Sequence, residues 1–512
     1  MIRCLPKIRH TLLPLLLAGA AALRADVVPH VLFSDHAVLQ RDKPIPIWGK
    51  ADPGEKVTVR LAEKVSQSVV AGADGRWSLT LPAQSAGGPY PLVFEGKNRL
   101  ERTDIWLGEV WICSGQSNME RQLGLRSGQK PLENWEQEVA SANYPKIRHF
   151  AAARTPSDTP LTATTGKWNV CSPQTAAQFT AVGYYFARDL QRKLNVAVGL
   201  IHSSWGGTPA ETWMRRDLLS AEFPEVAVAH EKAIATYETD LAKYKLEEPA
   251  LLKTWEEAAA TAKAANKPAP AKPTAPRDPR LSQNRPASLY QGMITPLQPY
   301  AMRGVLWYQG ESNNGRAEAY RSLFPALIRD WRAQWGQGEF PFLFVQLAPF
   351  RSLTPEIRDA QLHAWRTTPN TAMVVTNDVG DAEDIHPNRK EPVGARLALA
   401  ARALAYGEKI AYSGPVFRAA AVDGPRITLT FDHLGGGLVA KDGALRGFTV
   451  SSDGKTFVPA QAEVVGDSIV VQAETITKPV EVRYGWSNVP DVNLFNAAGL
   501  PASPFRTGAL SN

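Results

Sequence analysis

The chain has 512 residues, 44% of them hydrophobic and 21% charged. That is the balance of a soluble globular protein, and the length exceeds one comfortable hydrophobic core, so two or three domains are expected. The formal net charge is +7, but Arg3, Lys7, Arg9 and Arg24 fall in the first 25 residues, and without them it is +3; no basic stripe of the kind that marks nucleic-acid binding is present.

In chain order, Arg3, Lys7 and Arg9 precede an apolar run from Leu12 to Leu23, and Leu23-Arg24-Ala25 ends on a small residue. The pattern predicts a signal peptide cleaved after Ala25. It implies a secreted or periplasmic protein of bacterial type, with no membrane span after cleavage; a retained N-terminal anchor is the alternative reading. Residues 26–103 alternate as short strands, with a hairpin signal at Asp74-Gly75, and read as an N-terminal β-domain.

From 104 to 406 the pattern changes. Continuous apolar runs at 105–113, 196–204, 303–310, 342–348 and 372–378 alternate with helical segments such as 181–194 and the stretch after Pro387, where Val393, Leu397, Ala400 and Leu404 share one face. Such alternation predicts an α/β domain with a parallel five-stranded sheet covered on both faces. Residues 226–285 interrupt it as a helical, then Pro-rich, insertion. Residues 407–512 return to β-like text with Asp-Gly turns, a second β-domain open to packing on the first. Cys113 and Cys171, both outside the leader, could pair or stay as two buried thiols.

Ligands of such sheets bind beyond the carboxyl ends of the strands. The first run ends in "WICSGQSNME" (111–120). Gly115 permits a tight turn, and a helix starting beside Ser117 would aim free N–H groups at it; Ser117 is a candidate nucleophile, or an ordinary helix cap. The second run ends in "HSSWGGTPAETW" (202–213), where Gly206 and Gly207 offer unobstructed N–H groups or simply a turn. The third ends in "WYQGESNNG" (307–315), a polar crowd that needs a site or a network to justify it. The fifth ends in "NDVGDAEDIHPN" (377–388). A serine nucleophile needs a base, and the base needs an orienting carboxylate. His386 alone among the histidines follows a core run beside several carboxylates. Asp384 is the nearest aspartate, with Asp378, Asp381 and Glu383 competing. No HxxxH or HExxH spacing occurs, so no metal or other cofactor is expected.

Together "GQSNM", "SWGGTPAETW", "WYQGESN" and "DIHP" resemble the sialate O-acetylesterase branch of the SGNH hydrolases. The resemblance implies a flavodoxin-like hydrolase domain and a carbohydrate O-acetylesterase with Ser117 as nucleophile, His386 as base and Asp384 as third member. It implies an oxyanion hole from Ser117 N–H, a glycine of the Gly206-Gly207 pair and a side chain of "QGES". The wider superfamily has an Asn where Ser312 stands here, so Gln309, with its longer amide, is expected to take that role. The superfamily also sets Asp three residues before His, where Glu383 stands. Trp205, Trp213, Glu311 and Asn313 are expected to meet an acetylated carbohydrate substrate. Sialosides and the plant polysaccharides xylan, xyloglucan and pectin all fit. A non-catalytic carbohydrate-binding protein is the reading from another class. A lipase would need an apolar lid, which the polar insertion does not resemble.

Overall fold

The structure, a computed structural model, describes residues 26–508; the expected signal peptide, residues 1–25, lies outside them. Strand β1, Arg99–Gly115, is the axis of the molecule. Its first half pairs antiparallel with Gly87–Glu95, and its second half lies between two parallel neighbours. The expected domain boundary at 103/104 therefore falls inside one strand. The chain changes its pairing partners there without leaving the extended conformation. Four N-terminal strands, Val38–Gln40, Lys56–Leu61, Val65–Val70 and Gly87–Glu95, consequently share one eleven-stranded sheet with the central strands, while Val28–Pro29, Ile45–Lys50 and Arg76–Leu81 form a separate three-stranded sheet.

Besides the short Val38–Gln40, which also pairs parallel with β1, the parallel part holds six strands rather than five: β1, β2 (Tyr144–Ala151), β3 (Ala197–Ser204), β4 (Gly304–Tyr308), β5 (Phe342–Val345) and β6 (Thr371–Val374). Their spatial order is β2-β3-β1-β4-β5-β6. The strand that sequence periodicity misses is β2, "YPKIRHFA". Its polar residues are neutralised by tertiary partners: Arg148 pairs with Asp104 at 2.9 Å, and His149 stacks on Phe179. Without β2, the strands follow the doubly wound order 2-1-3-4-5, whose reversal point lies between β1 and β4.

Side-chain alternation along the strands assigns the two faces. Trp111 packs edge-on against Phe186, and Cys113 lies against Gly183, both in the helix Ala181–Leu194. Ser114, the next residue, is paired with Trp307, which packs on Phe324 and Trp331 of the helix Ala317–Trp335. Helices Ala181–Leu194 and Glu391–Leu404 thus cover one face, and Ala317–Trp335 with Pro355–Thr367 the other. Both faces are buried, which is why these strands read as unbroken apolar runs. Cys113 and Cys171 are two buried free thiols.

The insertion is a single helix, Pro224–Ala264, with Pro249 inside it and Val226 its one buried residue. The C-terminal strands, from Val416–Asp423 to Phe505–Arg506, form three small antiparallel sheets. Their last segment packs on the carboxyl ends of the central strands. Gln346 Nε2 donates to Ser503 Oγ at 2.9 Å, and Asn377 Nδ2 to the Ala502 carbonyl at 3.0 Å.

Candidate active site

Gly115 ends β1 with φ +131°, and a Cβ there would sit 2.2 Å from the Tyr308 carbonyl oxygen. Only glycine allows that approach. The Gln116 N–H then donates to the same carbonyl at 2.9 Å, closing β1 against the end of β4. The chain turns at once into α1, Ser117–Glu120, so Ser117 is presented at the reversal point of the sheet.

The four polar stretches converge around this turn. Gly206 lies against the serine, where a Cβ would come within 3.1 Å of Ser117 Cβ. The Gly206 N–H donates to Glu120 Oε2, so it is committed and is not free for a developing oxyanion. Glu120 is buried and also binds Arg126 at 2.6 Å and Arg154 at 2.7 Å. Gly207 follows at φ +73° on the exposed tip, and its N–H carries no hydrogen bond among the described residues. Gly207, rather than Gly206, is the glycine able to donate.

Asn118 ties the remaining stretches together. Its Nδ2 donates to Glu311 Oε1 at 2.6 Å and to the Ile385 carbonyl at 3.0 Å, and its Oδ1 accepts from Lys390 Nζ at 2.5 Å. The residue after Ser117 is therefore bonded to the residue before His386. The His386 side chain keeps 21% of its surface exposed, and its Nδ1 lies 3.6 Å from Asp384 Oδ1, an oxygen that also accepts the His386 N–H at 2.8 Å. At 3.6 Å the ring and carboxylate make a charge contact just beyond hydrogen-bond length. The competing carboxylates are held elsewhere. Asp378 forms a fork with Arg396 at 2.6 and 2.7 Å, Asp381 binds Lys130 at 2.6 Å, and Glu383 binds Arg351.

Several expected roles change. Gln309 is fully buried; its Nε2 donates to the Thr208 carbonyl at 3.2 Å and to Asn313 Oδ1 at 2.7 Å, and Tyr320 donates to its Oε1 at 3.1 Å. Both amide protons are engaged, so Gln309 braces the loop and has no donor to offer an oxyanion. Asn313 belongs to the same network, accepting from Ala210 N–H and donating to Glu211, and is fully buried. Trp213 is fully buried edge-on to Trp307, with its indole N–H on Thr208. It is core. The Glu311 carboxylate lies beneath the site, with Oε2 buried and unpartnered. Trp205, beside Gly206, is half-buried and packs against the core. Ser312 N–H donates to Gln116 Oε1 at 3.3 Å, another brace.

Asn118, Glu120 and Lys390 were not singled out by sequence. The first two stand inside the quoted "GQSNME" but carry no signal of their role without their partners. Lys390 is 1% exposed, its ammonium 5.3 Å from the Tyr308 ring centre. Burial pushes it down to about 7. The His386 pKa lies below its ordinary value, first through burial, then through the positive charge of Lys390; Asp384 opposes the shift. A neutral imidazole at neutral pH can accept a proton. The acid limb of kcat/KM is expected below about pH 6.5, the ordinary histidine value. Lys390→Met removes a cation that disfavours imidazolium, so the limb should move to higher pH, read from a pH–rate profile on an aryl acetate. A limb that stays in place would show that Lys390 does not act on the ring.

Among the described residues no group of His, Cys, Asp or Glu is arranged to hold a metal ion, and no helix is long and apolar enough to cross a membrane. A family model described as carbohydrate esterase, sialic acid-specific acetylesterase, matches residues 107–244 and 279–403, passing over the distal insertion. Sialate O-acetylesterase of Rattus norvegicus is 32% identical over 428 residues, 75% of this chain and 74% of that protein. The Homo sapiens sialate O-acetylesterase is 30% identical over 423 residues, 72% of this chain and 69% of that one. Among solved structures, a carbohydrate acetylesterase from Xanthomonas citri superimposes with a TM-score of 0.79 at 36% identity, covering 94% of this chain and 99% of that one.

Proposed function

Because the chain belongs to the carbohydrate esterase family of sialic acid-specific acetylesterases, hydrolases that act on acetyl esters, we propose that it is an exported carbohydrate O-acetylesterase working through an acyl-enzyme on Ser117. The observation that carries the residue assignment is the Asn118 bridge, which joins the serine turn to the histidine loop. His386 takes the Ser117 proton as the oxygen attacks the acetyl carbonyl. The tetrahedral oxyanion is met by the Ser117 and Gly207 N–H groups, donors of a kind whose individual loss costs about 3–4 kcal/mol of barrier. The sugar oxygen leaves with the proton from His386. Water then repeats the sequence on the acetyl-enzyme, losing its proton to His386 and releasing acetate and free Ser117. Asp384 holds the ring and stabilises its charged form.

The flavodoxin-like order of the strands supports this placement, since the reacting residues gather beyond their carboxyl ends. The division into leader (1–25), N-terminal β-domain (26–103), hydrolase domain (104–406) and C-terminal β-domain (407–512) is part of the proposal, with β1 as the join. Acetate release across acetylated sialosides, xylan, xyloglucan and pectin tests the function and names the sugar. Release from at least one, with acetate esters of an aryl alcohol turned over faster than octanoate esters, is the expected result. No acetate from any of them would leave a binding protein.

A further inference from the structure

A cleft of about 920 Å³ opens between the N-terminal strands and the loop around residues 161–164, and none of its lining residues belongs to the site around Ser117. Its wall includes His30, Ser34, Trp48, Lys50 and Arg102. Three polar atoms on this one wall are buried without a hydrogen bond: His30 Nε2, Ser34 Oγ and Arg102 Nε. His30 is 8% exposed, and its Nδ1 accepts from the Leu32 N–H, which leaves the ring proton on the orphaned Nε2. All three atoms lie beneath the accessible wall, so a ligand would meet the groups that the cleft exposes, Lys50 and Arg76 among them.

The charges specify the ligand's chemistry. Lys50, Arg76 and Arg102 line the cleft, and no carboxylate does. Arg76 pairs loosely with Asp74 at 3.5 Å, while Lys50 and Arg102 have no acid partner among the described residues. The half-buried Trp48 indole, stacked on His30, provides a flat apolar floor. We propose that this cleft is a second carbohydrate site, which holds a sugar bearing a carboxylate. The ring lies on Trp48, and the carboxylate faces Arg102 and Lys50. That the ligand is a sugar rests on the esterase reading; that it is anionic rests on the charges alone. The cleft is near enough to serve the reacting centre. Arg154, which binds Glu120 beside Ser117, is seven residues from Leu161 at the cleft wall, a span of at most about 25 Å.

Two sources carry the same chemistry, uronic acids and sialic acids, and the test separates them. The full-length Ser117→Ala chain, which binds without turnover, is titrated calorimetrically with an oligogalacturonate, a sialyl-oligosaccharide and a neutral xylo-oligosaccharide. One acidic ligand should bind at least about tenfold tighter than the neutral one, and more weakly as salt rises. Arg102→Ala should remove about tenfold or more of that affinity. Thr162→Trp, placed at an exposed position on the wall, should block the cleft without disturbing a core contact. With Ser117 intact, both variants should keep their turnover of an aryl acetate, so loss of the second site is distinguishable from loss of the esterase. No acidic binding, equal binding of the neutral ligand, or binding indifferent to both substitutions would overturn the proposal.

Discussion

Ser117→Ala is expected to lower kcat for an aryl acetate by about 10³- to 10⁶-fold, with a folded protein left behind. The drop is large because nucleophile and base act as a unit, and without the hydroxyl the N–H donors and binding surfaces keep only a residue of the acceleration. The fold should survive because the turn is held by other groups. Gly115 closes on Tyr308, Asn118 bridges three segments, and Glu120 fastens Gly206 and two arginines. None of these contacts uses Ser117 Oγ. The matching positive observation is an acetylated peptide containing residue 117, recovered by mass spectrometry from enzyme quenched during turnover. A variant that stays folded and keeps more than a tenth of the activity would remove Ser117 from the mechanism.

Continuity of apolar runs was legible where both sheet faces are covered, as along 105–113 and 303–308, and so was the turn at Gly115, since a glycine between a buried strand and a polar stretch marks a close approach. Helix Ala181–Leu194 begins and ends where its periodicity placed it. Strand β2 was not legible, because its arginine and histidine are made tolerable by Asp104 and Phe179, and only the fold brings these together. Gln309 is a related case. An amide at a strand end has the reach to donate to a substrate, but Thr208 and Asn313 take both its protons, and Thr208 lies about a hundred positions away in sequence. Trp213 reads equally well as a stacking platform or as core, and the decision falls to Trp307 beside it. Lys390 left no trace at all, since a lysine near a helix start is ordinarily solvated.

Asp384→Asn should cost about 10³- to 10⁴-fold in kcat, whereas Glu383→Gln and Asp381→Asn should stay within a few-fold of the parent. The difference follows from what each carboxylate touches. Asp384 faces the imidazole Nδ1 at 3.6 Å, while Glu383 and Asp381 serve exposed pairs with Arg351 and Lys130. A contact of that length in the free enzyme is expected to shorten once the ring takes a proton and becomes cationic. The asparagine keeps the shape but presents an amide that no longer stabilises imidazolium and can fix the wrong tautomer. The pH profile adds a check that a merely structural role would not pass. Asp384 raises the His386 pKa against burial and Lys390, so its neutralisation should move the acid limb of the residual activity to lower pH, opposite to Lys390→Met. If Glu383→Gln shows the larger loss instead, the loop closes differently around bound substrate and Glu383 is the third member, at the spacing the superfamily uses.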